Sequence, residues 1–211
     1  MITPQSVYDW VLRCIGNNTC SVCDLHKPCI GHPCACVQHT PVIDFDEVER
    51  LWHISRKQPS TASADALVCH HNLCFVEIKG WIKFLENLHL TGERQFTDRE
   101  EERLKGRILK QVGHYDFQKK LLSSIEVCED ITGTPDLLSA LPVAFILVTD
   151  VNPETSPLEV FSMQLSMLAH TSTDWKKVCT EAMSQRLASQ ITSIHTYFVY
   201  CKGFDHLIKS L

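Results

Sequence analysis

The run Val143-Ala144-Phe145-Ile146-Leu147-Val148-Thr149 is apolar at every position but the last, and it limits the folds open to this chain. A half-exposed strand alternates apolar and polar residues, because successive side chains point to opposite faces of a sheet. A run without alternation, rich in β-branched residues, predicts a central strand covered on both faces. The covering layers must come from the rest of the chain.

The flanking segments supply them. Thr3 is a natural N-cap and Pro4 suits the first helical position, with Val7, Val11 and Cys14 forming a stripe that ends at Gly16. Asp44 to Lys57 reads as a second helix with Val48, Leu51 and Trp52 on one side, and Pro59 to Ser63 as a turn. Two apolar runs, Ala64–Cys69 and Leu73–Trp81, are separated by His70, His71 and Asn72, the pattern of a β-hairpin. Thr97 to Glu129 reads as one long helix containing Gly106 and Gly113; Thr173 to Thr192 is a further helix and Thr196–Cys201 a last strand. No internal repeat is present. This order predicts a mixed α/β domain over residues 41–211.

Residues 1–40 form an N-terminal helix and a Cys/His-rich segment. Of eleven cysteines, six lie at Cys14, Cys20, Cys23, Cys29, Cys34 and Cys36, interleaved with His26, His32 and His39. Closely spaced thiols in a reducing compartment gain most by binding a soft or borderline metal as thiolates. Cys20-x-x-Cys23 has zinc-knuckle spacing, and Cys29, Cys34, Cys36 or a histidine can complete a tetrahedral Zn²⁺ set. An iron–sulfur cluster uses the same ligands, and a loop of unliganded cysteines is the plain alternative.

Composition narrows the function classes. The 211 residues are 44% hydrophobic and 21% charged, which excludes low-complexity and disordered classes. No apolar run approaches the ~18 residues that span a bilayer, and the start lacks the parts of a signal peptide. A cytoplasmic, non-membrane protein is expected. The net charge of −5 means that any grip on nucleic acid comes from a local patch or a partner chain. No Walker loop, dinucleotide fingerprint or serine elbow is present.

The candidate chemistry lies in the hairpin. Glu77 and Lys79, two apart in Val76-Glu77-Ile78-Lys79-Gly80, share one face of their strand, and a hairpin closing at His71 brings Asp65 near them. Buried acids and lysines are rare unless paired or holding a metal. Two carboxylates facing one point make a hard oxygen site suited to Mg²⁺ or Mn²⁺. An adjacent lysine can orient a water and neutralise charge on a phosphate. The plain alternative is an inward ion pair holding an apolar sheet together.

These residues resemble the PD-(D/E)xK nuclease superfamily of restriction endonucleases and RecB-type exonucleases, over about Asp44 to Asp150. Its signature is an Asp on one core strand and Glu-x-Lys on the next, here Asp65 and Glu77-Ile78-Lys79; Ala64 stands where a proline usually precedes the Asp. The resemblance implies a restriction-endonuclease-like mixed sheet flanked by helices. It implies Mg²⁺ held by Asp65, Glu77 and the Ile78 carbonyl, with a further carboxylate, Glu47 or Glu49, from the first core helix. Lys79 would position the attacking water. Gln111-x-x-x-Tyr115 is similar to the helix motif of RecB-type nucleases, with Gln118 competing for the role. The implied substrate is nucleic acid, DNA before RNA, with a protein partner or homo-oligomer and a role in restriction or anti-phage defence. A zinc-binding adaptor on a nuclease-like fold without catalysis, or an iron–sulfur protein, are the rival classes. Glu-x-Lys patterns arise by chance: Asp174-Trp175-Lys176 fits too, at an expected helix start.

Overall fold

A computed structural model describes residues 2–25, 40–57, 59–91, 96–151 and 173–211. Its frame is an open five-stranded mixed sheet in the order β1 (Ile43–Asp44), β2 (Ala66–Cys69), β3 (Leu73–Lys79), β4 (Val143–Thr149) and β5 (His195–Tyr200). β2 runs antiparallel to both β1 and β3, whereas β4 lies parallel to β3 and β5 parallel to β4. The apolar run Val143–Thr149 is β4, and all seven of its residues are buried. No alternation appears in it because both of its faces are covered.

The period-two rule divides the sheet residues between two cores. Leu67, Leu73, Phe75, Phe145 and Leu147 face the larger one, formed with α1 (Pro4–Cys14), α3 (Phe45–Arg56), α5 (Asp98–Gly113), α6 (Phe117–Thr132), the short α7 (Leu137–Ala140) and α8 (Trp175–Gln190). Ala66, Val68, Cys74, Val76, Ile78, Ala144, Ile146 and Val148 face the smaller one, with Val22 from α2 (Val22–Leu25) and Phe204 and Ile208 from α9 (Phe204–Ser210). Each fully buried Phe side chain contributes roughly 1.5–3 kcal/mol of transfer free energy. Phe45, Phe75, Phe117 and Phe145 meet in the larger core as edge-on and tilted pairs. α1 places Val7, Tyr8 and Val11 in this same core, across the boundary expected at residue 40. Among the described residues no helix is long and apolar enough to cross a membrane.

Two sequence expectations are corrected. The segment expected to be one helix from Thr97 to Glu129 is two, α5 and α6, broken between Gly113 and Phe117. Asp116 caps the restart, accepting from Lys119 N at 3.0 Å. The carbonyls freed by the break are taken up by α8: Arg186 donates to Gly113 O and Tyr115 O, and Gln190 donates to Tyr115 O while accepting from Phe117 N. Arg186 is thus an internal brace as well as a basic residue. The second correction is smaller. Asp65 lies just before β2 rather than on it, at the level where the β2–β3 register sets it opposite Glu77.

Asp150, directly after β4, does comparable work on the other side of β3. Its carboxylate accepts from Trp81 N at 2.6 Å and from Ile82 N at 3.3 Å, capping α4 (Ile82–Asn87), whose own first residues offer no side-chain cap. Asp150→Ala leaves both donors without their anionic acceptor and is expected to lower unfolding stability by about 2 kcal/mol. Urea unfolding checks this; an unchanged midpoint at unchanged slope would contradict the assignment.

Candidate active site

The β2–β3 register pairs Ala66 with Val76, so the next step outward sets Asp65 across from Glu77. Cross-strand neighbours share a face, and Lys79, two residues further along β3, shares it too. This face is the one that α6 covers. Its first turn, begun by the Asp116 cap, delivers Lys120 onto the two carboxylates.

Four charges therefore converge at the C-terminal end of β3. Lys120 Nζ lies 2.8 Å from Glu77 Oε1 and 3.4 Å from Asp65 Oδ1, and donates to Glu77 Oε2 at 2.9 Å. Lys79 Nζ contacts Glu77 Oε1 and approaches Asp65 Oδ2 at 3.9 Å. Asp65 Oδ2 also accepts from Ile78 N at 2.6 Å, and the Ile78 carbonyl accepts from Lys79 Nζ at 3.2 Å. Glu77 is fully buried, whereas Asp65 and Lys79 are 22% and 21% exposed. The group is sealed from below and open to solvent on one side.

The neighbourhood holds these groups in place. Ser124, fully buried one turn after Lys120, donates to Lys120 O and accepts from Ala64 N, so α6 is tied to the residue before Asp65. Glu49 and His53 of α3 form a buried pair at 2.8 Å, and Glu49 accepts from Ser60 Oγ and Thr61 N. That pair anchors the loop leading to Asp65. The ring of Tyr115 lies 5.4 Å below Lys79 Nζ and packs on Trp81, and Gln111 hydrogen-bonds the Tyr115 side chain.

Electrostatically the two ends of the main pair pull in opposite directions. Burial raises the Glu77 carboxyl above its usual range and Asp65 adds to this, against the pull of Lys79 and Lys120. For Lys120, burial acts downward, but Glu77 and Asp65 outweigh it and the ammonium is raised. Two ammoniums directed at one carboxylate are the geometry of an ionised Glu77. Burial acts against that charge and the two lysines act for it. Glu77 Oε1 touches both ammoniums yet receives no well-aligned hydrogen bond.

The structure brings together Asp65, Glu77, Ile78 and Lys79, with Gln111 one contact away through Tyr115. It does not bring Gln118 or Glu47. Gln118 is exposed, in a shallow depression on the outer side of α6 with Asp116, Lys119 and Glu126. Its competition with Gln111 for the motif role rested on reading Thr97 to Glu129 as one helix. Glu47 points to solvent in a pair with Arg50. Its neighbour Asp46 accepts from Ser63 Oγ at 2.7 Å at the rim of the site, where loss of hydration raises its carboxyl, with Asp65 adding to that and Lys120 opposing it. Lys120 was missed in sequence, although a signal existed: a lysine among Phe117, Leu121, Ser124 and Cys128 on the buried face of a helix starting at Asp116. The second Asp-x-Lys match has a capping role, with Asp174 accepting from Lys177 N at the start of α8.

At the N-terminal cysteines, Cys20 bridges to Val42 through paired backbone hydrogen bonds of 3.0 and 2.9 Å, and Thr40 N donates to Asp205 of α9. Burial, assisted by Asp44 and Asp24, pushes the Cys20 thiol up to about 11, and burial also raises Cys23. Cys29, Cys34 and Cys36 lie outside the described residues. Among the described residues no group of three or more His, Cys, Asp or Glu converges as a metal centre.

A linkage prediction follows from Glu77. A carboxyl raised on folding contributes stability that is fully present below its unfolded value of about 4.3 and is lost as pH rises through the folded value. Glu77→Gln removes that dependence. Urea unfolding of both proteins from about pH 4 to 8 is expected to show wild type losing stability relative to Glu77→Gln as pH rises. A difference that grows in wild type's favour would mean that the lysines outweigh burial.

No protein-family model, curated protein or solved structure matches the chain.

Proposed function

We propose that this chain is a Mg²⁺-dependent nuclease of the PD-(D/E)xK kind, with a restriction-endonuclease-like core, acting on DNA. The observation that carries the reading is the convergence of Asp65, Glu77, Lys79 and Lys120 at one half-open strand end. A purely structural ion pair needs neither the second acid nor the solvent opening. The antiparallel β1, β2 and β3, with α3 between the first two, and the parallel β4, flanked by helices, agree with the fold that the resemblance implies.

The donors fit a hard divalent ion. Asp65 and Glu77 offer carboxylate oxygens, Glu77 Oε1 takes no aligned hydrogen bond, and the Ile78 carbonyl faces the same lysine. Mg²⁺ characteristically takes one or two carboxylates and completes its shell with water. When bound, such an ion supplies charge neutralisation at a phosphate and lowers the pKa of a water.

The side chains have separable tasks. Lys79, resting on Tyr115 and reaching Ile78 O, holds a water in line with a phosphate lying over Asp65, and its charge favours loss of the water's proton. Lys120 fixes the Glu77 carboxylate through both oxygens, and its remaining charge faces the negative charge that grows on the phosphoryl oxygens. Asp46 at the rim, rather than Glu47, is the carboxylate that α3 offers to the site.

Cleavage of plasmid, linear and single-stranded DNA and of RNA, with Mg²⁺, Mn²⁺ or EDTA, tests the reading. Wild type is expected to cut DNA with divalent ion alone. Folded Glu77→Gln, Lys79→Ala and Lys120→Met variants are each expected to lose about 10²-fold or more. Equal cutting by all four would sink the assignment. No cutting by any would favour an interaction module that keeps the fold without the chemistry.

A further inference from the structure

We infer that α5 carries the track along which duplex DNA lies on its way to the site, through Arg99, Arg103, Arg107, Lys110 and His114. The inference rests on the nuclease reading and adds to it where the substrate backbone is held. These residues step by four, four, three and four. At 3.6 residues per turn they fall within an arc of about 80° and run the full length of a helix of roughly 24 Å. All five are exposed. Among the described residues none of their side chains is in an ion pair or hydrogen bond, unlike Lys105, which pairs with Glu101 at 3.7 Å on the opposite flank.

The arrangement is one-sided. Leu104, Ile108 and Val112 bury the far face of α5 against the core. The acids Asp98, Glu101 and Glu102 fall outside the basic arc. Glu100, beside it, is turned back into the capping box, accepting from Thr97 N and Thr97 Oγ1. The flank that follows the basic arc holds Gln111, which reaches Tyr115 beneath Lys79. The last member, His114, directly precedes Tyr115. In a chain of net charge −5, an unpaired row of three arginines and a lysine on the helix that leads into Tyr115 fits a polyanion. No aromatic residue is exposed on α5. Single-strand binders interleave aromatic rings for base stacking, so a bare cationic row fits the backbone of a duplex.

The test is binding of a short DNA duplex by fluorescence anisotropy across a salt series, with Ca²⁺ in place of Mg²⁺. Duplex RNA and single-stranded DNA serve as parallel probes. Arg103→Glu/Arg107→Glu is compared with wild type and with Lys105→Glu/Lys209→Glu, which changes net charge equally elsewhere. Each phosphate contact contributes about 0.9 to the slope of log K against log salt. The stripe variant is expected to bind about tenfold or more weakly and to lose about 2 units of slope, with the control near wild type. If wild type binds duplex DNA and both variants behave alike, the track is overturned and the nuclease reading stands on its own cleavage result. Stripe-dependent binding without metal-dependent cleavage would keep the track and remove the nuclease reading. Absence of duplex DNA binding at low salt, or a preference for RNA or single strands, overturns the track.

Discussion

A fully buried carboxylate in the middle of an apolar strand governs how this molecule is built. Glu77 has no exposure, so leaving it unpaired would cost several kcal/mol. The fold answers with two ammoniums, one from the same strand and one from a helix that arrives from forty-three residues further along the chain. Lys79 comes without effort, since the period of a strand sets it on Glu77's face. Lys120 requires that α6 start at the right place and lie against β3. The break after α5 and the brace from Arg186 and Gln190 of α8 meet that requirement. Ser124 fixes the same helix to the backbone before Asp65, so the second acid and second lysine are positioned by one contact.

Charge balance distinguishes the site from an ordinary buried pair. Two acids and two lysines cancel formally, but their exposures are unequal. Glu77 is sealed while Asp65 and Lys79 meet solvent. A charged ligand entering from the open side would meet groups that their ion pairs already orient, and little reorganisation would be needed. Burial makes the Glu77 carboxyl hard to ionise, whereas the Lys120 ammonium is hard to discharge because Glu77 and Asp65 outweigh the burial that acts against its charge.

Much of this was legible in the sequence, and the parts that were not share a cause. β4 was visible because a doubly covered strand leaves an unbroken apolar run, and the hairpin because two such runs flank His70-His71-Asn72. Asp65, Glu77 and Lys79 followed from the period of a strand and one turn. Helix phase was harder. Reading Thr97 to Glu129 as one helix carried the phase of Leu104 and Ile108 past Gly113, selecting Gln118 and hiding Lys120. The break becomes stable only because Arg186 and Gln190, some seventy residues later, satisfy its backbone groups. Glu47 and Asp46 differ by one position on α3, a choice that depends on how the helix meets the sheet and on Ser63.

The central claim is that Asp65 and Glu77 form a divalent-cation site contested by Lys120. Titration of Mn²⁺ into the metal-free full chain, followed by electron paramagnetic resonance, measures this without requiring turnover. The account predicts saturable binding by wild type, its loss in Asp65→Asn and Glu77→Gln, and tighter binding in Lys120→Met, where a competing ammonium is gone. Binding unchanged by the acid substitutions, or weakened by Lys120→Met in a folded protein, would contradict it.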